Sequence, residues 1–263
     1  MIKYATLTCS VNDRGAGTLS LSRPDKHNAI DATMIRELRK AVGDMAVDAK
    51  VRVVVLTGAG PTFCAGADLN WMQEQMAKDR AGRIAEATEF AMVLRDLDML
   101  DKPVIGRVQG PAYGGGVGLM CVCDVVVAAD TGKFALTETR LGLVPATIGP
   151  YVVRRLGEGA SRQVFFNGKP FSAERALELG LVSRVVTLAH LDAAVEEEVS
   201  AYLKCAPGAV SQAKALCRDF ARNPGASTLA MTVERLAACW ESAEGKAGLN
   251  AFFARTHAPW HPK

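Results

Sequence analysis

The sequence predicts an α/β fold, a mostly parallel sheet flanked by helices and followed by a carboxy-terminal helical region. Three observations carry the prediction. Short apolar runs rich in β-branched residues, at 51–57, 104–108 and 124–129, have the continuous character of strands buried on both faces. Segments with helical spacing separate them, which favours repeated strand and helix units over a sandwich or a bundle. Beyond about residue 188 the strand signals stop.

Residues 6–10 and 18–21 are β-type runs joined by Asn12, Asp13, Arg14 and Gly15, so the chain opens on an antiparallel hairpin. Asp31 is a plausible N-cap for a helix whose buried stripe is Met34, Leu38, Val42 and Met45. The strand at 51–57 ends in Gly58, Ala59, Gly60 and Pro61. A helix over 81–100 presents Phe90, Val93, Leu94, Leu97 and Leu100 on one face, and Pro103 opens the strand at 104–108. A glycine-rich turn, 110–116, leads into an apolar helix over 117–123 and then the strand at 124–129. Helices are expected at 188–204, 208–222, 227–242 and 244–255, the middle two divided by Asn223, Pro224 and Gly225.

Composition narrows the function classes. With 263 residues, 49% hydrophobic and 22% charged, the chain can bury a large core, and a disordered or collagen-like reading is excluded. A net charge of +3 with no aromatic residues interleaved in a basic run argues against nucleic acid as a partner. The longest apolar stretch, 117–129, is interrupted at Asp124 and falls short of a membrane span. The first ten residues lack a leader pattern, so a cytoplasmic location is expected. Seven scattered cysteines suggest reduced thiols, and the closely spaced Cys121 and Cys123 read as small core residues rather than a metal site.

Two glycine-containing turns follow predicted parallel strands, where ligand sites of open α/β sheets gather. The first is Phe63-Cys64-Ala65-Gly66-Ala67-Asp68-Leu69; the second contains Gly114, Gly115 and Gly116 and begins a helix whose unpaired N–H groups can face a negative atom. Neither fits a phosphate loop or a dinucleotide fingerprint, and no G-x-S-x-G turn supports serine hydrolysis. By itself Glu138, beside Thr137 and Arg140, reads first as a solvated surface charge or an ion pair. Trp71 and Met72 read as core residues at the start of a helix.

Four ordered motifs then resemble the crotonase (enoyl-CoA hydratase and isomerase) superfamily over nearly the whole chain. They are Ser22-Arg23-Pro24-Asp25-Lys26-His27-Asn28-Ala29, the 63–69 turn, Gly110 to Gly116, and Phe134-Ala135-Leu136-Thr137-Glu138 with Leu141-Gly142-Leu143-Val144-Pro145. The resemblance implies a spiral of repeated ββα units over 1–200 and a helical oligomerisation domain over 201–263. It implies that the backbone N–H groups of Ala67 and Gly115 polarise the carbonyl of a coenzyme A thioester, and that Glu138 is the acid/base residue. It places Ala65, Gly66, Asp68, Leu69, Gly114, Lys26 and His27 along the substrate, with Arg23 a further candidate for the phosphate end. No metal is implied, and no cofactor, since coenzyme A is part of the acyl thioester substrate.

The second glutamate of two-acid hydratases falls at Gly118 and is absent here. Hydration of a 2-enoyl-CoA and Δ3,Δ2-isomerisation therefore both remain, with a noncatalytic coenzyme A- or RNA-binding protein as a third reading. Details around Asp68 to Met72, Pro145 to Val153 and Ser242 to Phe252 look like the methylglutaconyl-CoA hydratase group, which lacks an acid at the same position and tilts the reading toward hydration. The family likeness also implies homotrimers, often paired into hexamers.

Overall fold

A computed structural model of the protein describes residues 4–222 and 226–261. The dividing turn expected at Asn223, Pro224 and Gly225, and the first three residues of the amino terminus, lie outside the described residues. In chain order the elements are β1 (Leu7–Val11), β2 (Ala16–Leu21), α1 (Ala32–Val47), β3 (Val53–Gly58), α2 (Leu69–Ala77), α3 (Arg80–Met99), β4 (Val104–Val108), β5 (Ala112–Tyr113), α4 (Gly115–Cys121), β6 (Val125–Ala129) and β7 (Lys133–Ala135). Next come α5 (Gly149–Leu156), α6 (Glu158–Phe165), β8 (Phe171–Ser172), α7 (Ala173–Glu178), β9 (Arg184–Val186), α8 (Leu191–Leu203), α9 (Pro207–Arg222), α10 (Ala226–Glu241) and α11 (Ala243–Ala254).

The large sheet has the order β1-β2-β3-β4-β6-β9. β1 pairs antiparallel with β2, as the hairpin signal predicts, and the remaining neighbours are parallel. The parallel strands are buried on both faces because the pleat sends alternate side chains to opposite sides. In β3, Val54 and Leu56 join the larger core under α1 and α3, while Val53 and Val55 meet Leu191, Val195 and Leu203 of α8. That two-sided burial is why the strand reads as an unbroken apolar run.

The repeated unit implied by the resemblance is visible in the chain path. A large-sheet strand is followed by a short extended segment in a second layer, and then by a helix. β2 leads to Ile30 and α1, β3 to residues 64–67 and α2, β4 to β5 and α4, and β6 to β7 and, after a short turn, α5. The second-layer segments lie side by side. Ile30 bridges Ala67, Cys64 bridges Ala112, and β5 pairs with β7, all parallel. Residues from four distant parts of the sequence are thereby brought edge to edge at the carboxyl ends of the large-sheet strands.

The layers meet tightly. A methyl group on Gly110 would stand 2.0 Å from the Pro61 carbonyl oxygen, a distance that only backbone movement could relieve. Gly110→Ala is expected to destabilise the fold by about 1–3 kcal/mol, the usual cost of overpacking, or to prevent folding. A melting midpoint unchanged from wild type would show that the two turns are not held this closely.

The last three helices pack on one another, and Arg52 ties this region to the sheet by donating to the carbonyl oxygens of Leu203, Cys205 and Trp260. Val233, Leu236, Trp240, Phe252 and Phe253 remain exposed on these helices. No helix among the described residues is long and apolar enough to cross a membrane.

Candidate active site

The 63–69 turn is shaped by its hydrogen bonds. Gly66 sits at φ +88°, a conformation that L side chains rarely adopt, and its carbonyl accepts from Ile30 N–H at 2.7 Å while Asp68 N–H donates to the Ile30 carbonyl at 2.9 Å. Because a trans peptide points its C=O and N–H in opposite directions, the bond from Gly66 to Ile30 aims the Ala67 N–H away from Ile30. That N–H has no protein acceptor among the described residues. Asp68 then caps α2, its side chain accepting from Asn70 and Trp71 N–H.

The second turn begins α4. Gly114 has φ +47° and ψ −113°, a backbone that glycine tolerates, and donates its N–H to the Ala135 carbonyl at 3.0 Å. Gly118 N–H donates back to the Gly114 carbonyl in the first turn of the helix, so the Gly115 N–H points out of the helix start and has no protein acceptor among the described residues. The two turns touch. A methyl group on Gly66 would lie 2.9 Å from the Tyr113 carbonyl oxygen and 3.8 Å from the Gly115 nitrogen, and one on Gly116 would lie 2.5 Å from the Cys64 carbonyl oxygen.

Glu138 stands at the start of a short 3₁₀ turn after β7 and meets the same place. A methyl group on Gly114 would approach its Oε1 to 3.0 Å. Its Oε2 is buried and has no hydrogen-bond partner among the described residues. Burial holds the carboxyl above the usual carboxylate range, with only its own backbone N–H working the other way. Such a group can exchange a proton nearer neutrality than a solvated glutamate.

Around Gly115 the neighbours are apolar: a methyl there would meet Ile30 Cδ1 at 3.1 Å and Phe90 Cζ at 3.2 Å. At Gly118 there is no room for any side chain, since a methyl would lie 2.3 Å from Ile148 Cγ2, with Leu94 also in range. Ile148 is held there at the start of α5, whose Arg154 binds Asp98 of α3. The thiol of Cys64, fully buried beside Gly66, is pushed up to about 12 by burial, far from the thiolate that nucleophilic chemistry requires. Cys121 and Cys123 are buried as well, as expected of small core residues.

The remaining sequence candidates are spread along the same edge. Ala65 N–H donates to the His27 carbonyl at 2.9 Å, and the exposed His27 ring holds Thr62 Oγ1 through Nδ1 at 2.9 Å. Lys26 is exposed on the 3₁₀ turn Pro24–Lys26. Leu69, at the first position of α2, turns outward and is 77% exposed. The guanidinium of Arg23 is engaged by Asp31 and Asp68. Trp71 packs partly buried against the core, donating to Glu86. Two open clefts, of about 420 and 560 Å³, lie along α1 and are lined by none of the candidate residues.

Sequence reasoning missed two contributors. Asn28, completely buried at φ 55°, donates to the carbonyls of Ala59, Thr62 and Phe63 and accepts from Arg23 N–H, stitching the first motif to the turn after β3. Its signal was available, since asparagine enters the left-handed region more readily than most residues. Ile148 lies thirty positions from Gly118, and nothing local in the sequence connects them.

Comparison with known proteins gives a consistent result. Residues 12–263 match the family model described as enoyl-CoA hydratase/isomerase. The short-chain-enoyl-CoA hydratase of Clostridium acetobutylicum is 30% identical over 243 residues, covering 90% of each chain. A solved enoyl-CoA hydratase from Shewanella pealeana superposes with a TM-score of 0.95 at 37% identity, over 98% of this chain and 97% of that one. Pseudomonas aeruginosa AtuE gives a TM-score of 0.94 at 32% identity, over 98% and 100%.

Proposed function

The chain belongs to the enoyl-CoA hydratase/isomerase family, and from that premise we propose that it adds water reversibly to a 2-enoyl-CoA, with Ala67 and Gly115 N–H as the oxyanion donors and Glu138 as the single acid/base. The observation that supports the reading is the Glu138 carboxyl lying against Gly114, with one buried oxygen unpaired and two nearby amides without protein acceptors among the described residues.

Addition of water at the β carbon places negative charge on the thioester carbonyl oxygen. Two fixed amides stabilise that charge without reorganising, each worth roughly 3–4 kcal/mol in sites of this kind. Glu138 takes a proton from water as it attacks, then returns it to the α carbon. One carboxyl suffices if it reaches both positions in turn. No cofactor is needed, since coenzyme A arrives as part of the substrate. A branched or carboxylated acyl group of the 3-methylglutaconyl kind is what the resemblance of the sequence details named above implies.

A second reading is Δ3,Δ2-isomerisation with the same three groups, and the packing at Gly118 favours it. The atoms nearest Gly118 belong to the apolar side chains of Ile148 and Leu94, where a two-acid hydratase would carry its second carboxylate. The ultraviolet absorbance of the conjugated thioester separates the two. Hydration of a 2-enoyl-CoA consumes the chromophore, whereas isomerisation of a 3-enoyl-CoA creates it. No change with either substrate would count against both.

We further propose that residues 201–263 serve oligomerisation. The exposed Trp240, Phe252 and Phe253, together with Leu141, Leu143 and Val144 after Glu138, would be covered in a homotrimer or hexamer working in the cytoplasm.

A further inference from the structure

We propose that Arg23 is a positioning residue, which ties the starts of α1 and α2 together and so holds the Ala67 amide in its working direction, rather than a contact for the phosphates of coenzyme A. The inference rests on the reading of Ala67 as an oxyanion donor.

The guanidinium is largely enclosed, with 18% of the side chain exposed, and both terminal nitrogens have protein partners. Nη2 donates to Asp68 Oδ2 at 3.0 Å, and Nη1 donates to the Ala29 carbonyl at 2.6 Å while lying 3.1 Å from Asp31 Oδ2. Both carboxylates divide their oxygens in the same way. Asp31 Oδ1 caps α1 through Met34 N–H, and Asp68 Oδ1 caps α2 through Asn70 and Trp71 N–H, leaving each Oδ2 for Arg23. A planar fork can reach three acceptors at once, which a lysine ammonium on a flexible stem cannot do in the same geometry.

The two caps flank the pairing that aims the amide. Ile30, next to Asp31, exchanges hydrogen bonds with Gly66 and Asp68 on either side of Ala67. Arg23 closes this short ladder from the side, and its own backbone is held by Asn28, whose Oδ1 accepts from Arg23 N–H and whose N–H donates to the Arg23 carbonyl. Releasing Asp68 frees the start of α2, and the peptide of Ala67 with it. Misplacement of a donor by a fraction of an ångström weakens stabilisation in the transition state more than it weakens substrate binding.

The test compares Arg23→Lys, Asp68→Asn and the double variant with wild type, on a 2-enoyl-CoA and on the same acyl group carried by N-acetylcysteamine, which has no nucleotide or phosphate. Asparagine keeps the cap on α2 through its amide oxygen and puts an NH2 donor where Arg23 finds its acceptor, so the link to Arg23 is broken. The expected result is a fall in kcat of about 10-fold for each single variant on both thioesters, with KM within about 3-fold of wild type. The double variant should lose no more than the worse single one, because both changes break one link. A loss confined to the coenzyme A thioester and seen as a raised KM would assign Arg23 to phosphate binding and overturn the proposal. So would losses that multiply in the double variant, or unchanged kcat in all three. Wild type inactive on both thioesters would instead sink the underlying reading of the site.

Discussion

Glu138→Gln should lower kcat by about 10²–10⁴-fold, the range that a positioned acid/base group supplies. The amide keeps the shape of the side chain and removes the proton exchange, so the loss should appear at every pH. The wild-type rate should fall on the acid side at a pH above the usual carboxylate range, because burial disfavours the ionised form. The same shift has a consequence for stability. A carboxyl whose folded pKa is raised holds its proton in the folded state at pH values where the unfolded chain has lost it. Its stabilising effect is therefore complete below the unfolded value and is lost as pH rises through the folded one. At neutral pH Glu138→Gln should then melt above wild type, and the difference should vanish as pH drops below the ordinary carboxylate range. Wild-type kcat in the variant would remove Glu138 from the chemistry and assign the acid/base role to another group.

The second large effect is expected from Ala67→Pro, which deletes a single N–H. Since that N–H has no protein acceptor among the described residues, proline breaks no backbone ladder, and Gly66 before it has no Cβ to collide with the ring. The expected loss is at least about 10²–10³-fold in kcat/KM, the effect of removing one oxyanion donor, since the ring Cδ also stands where the carbonyl oxygen would bind. Circular dichroism melting run alongside separates this from unfolding. A folded variant with wild-type turnover would show that the oxyanion is held elsewhere.

Much of the fold was legible because its signals are local. The buried strands announced themselves as unbroken apolar runs, and the carboxy-terminal helices fell within a few residues of their expected ends, as with α9 at Pro207–Arg222. The segment from 130 to 187 was harder. Its strands β7, β8 and β9 are only two or three residues long, too short to display a period, and they are held by pairing with distant partners. The candidate site was legible through motifs, and the structure places the turns around Ala67 and Gly115 in contact with Glu138 beside them. Arg23 shows where motif reading runs out. Its charge allows a phosphate contact, and only the structure shows two aspartates from separate helix starts against its guanidinium.

The sequence by itself determined the alternation of strand and helix, the two glycine turns and the lack of a carboxylate at Gly118, because each depends on residue type within a short window. Only the tertiary structure decided how these parts meet. The direction of the Ala67 amide depends on a hydrogen bond from Ile30, the burial of Glu138 on contact with Gly114, and the crowding at Gly118 on a side chain from a later helix. Direction, burial and crowding are properties of neighbours in space, and no window along the chain contains them.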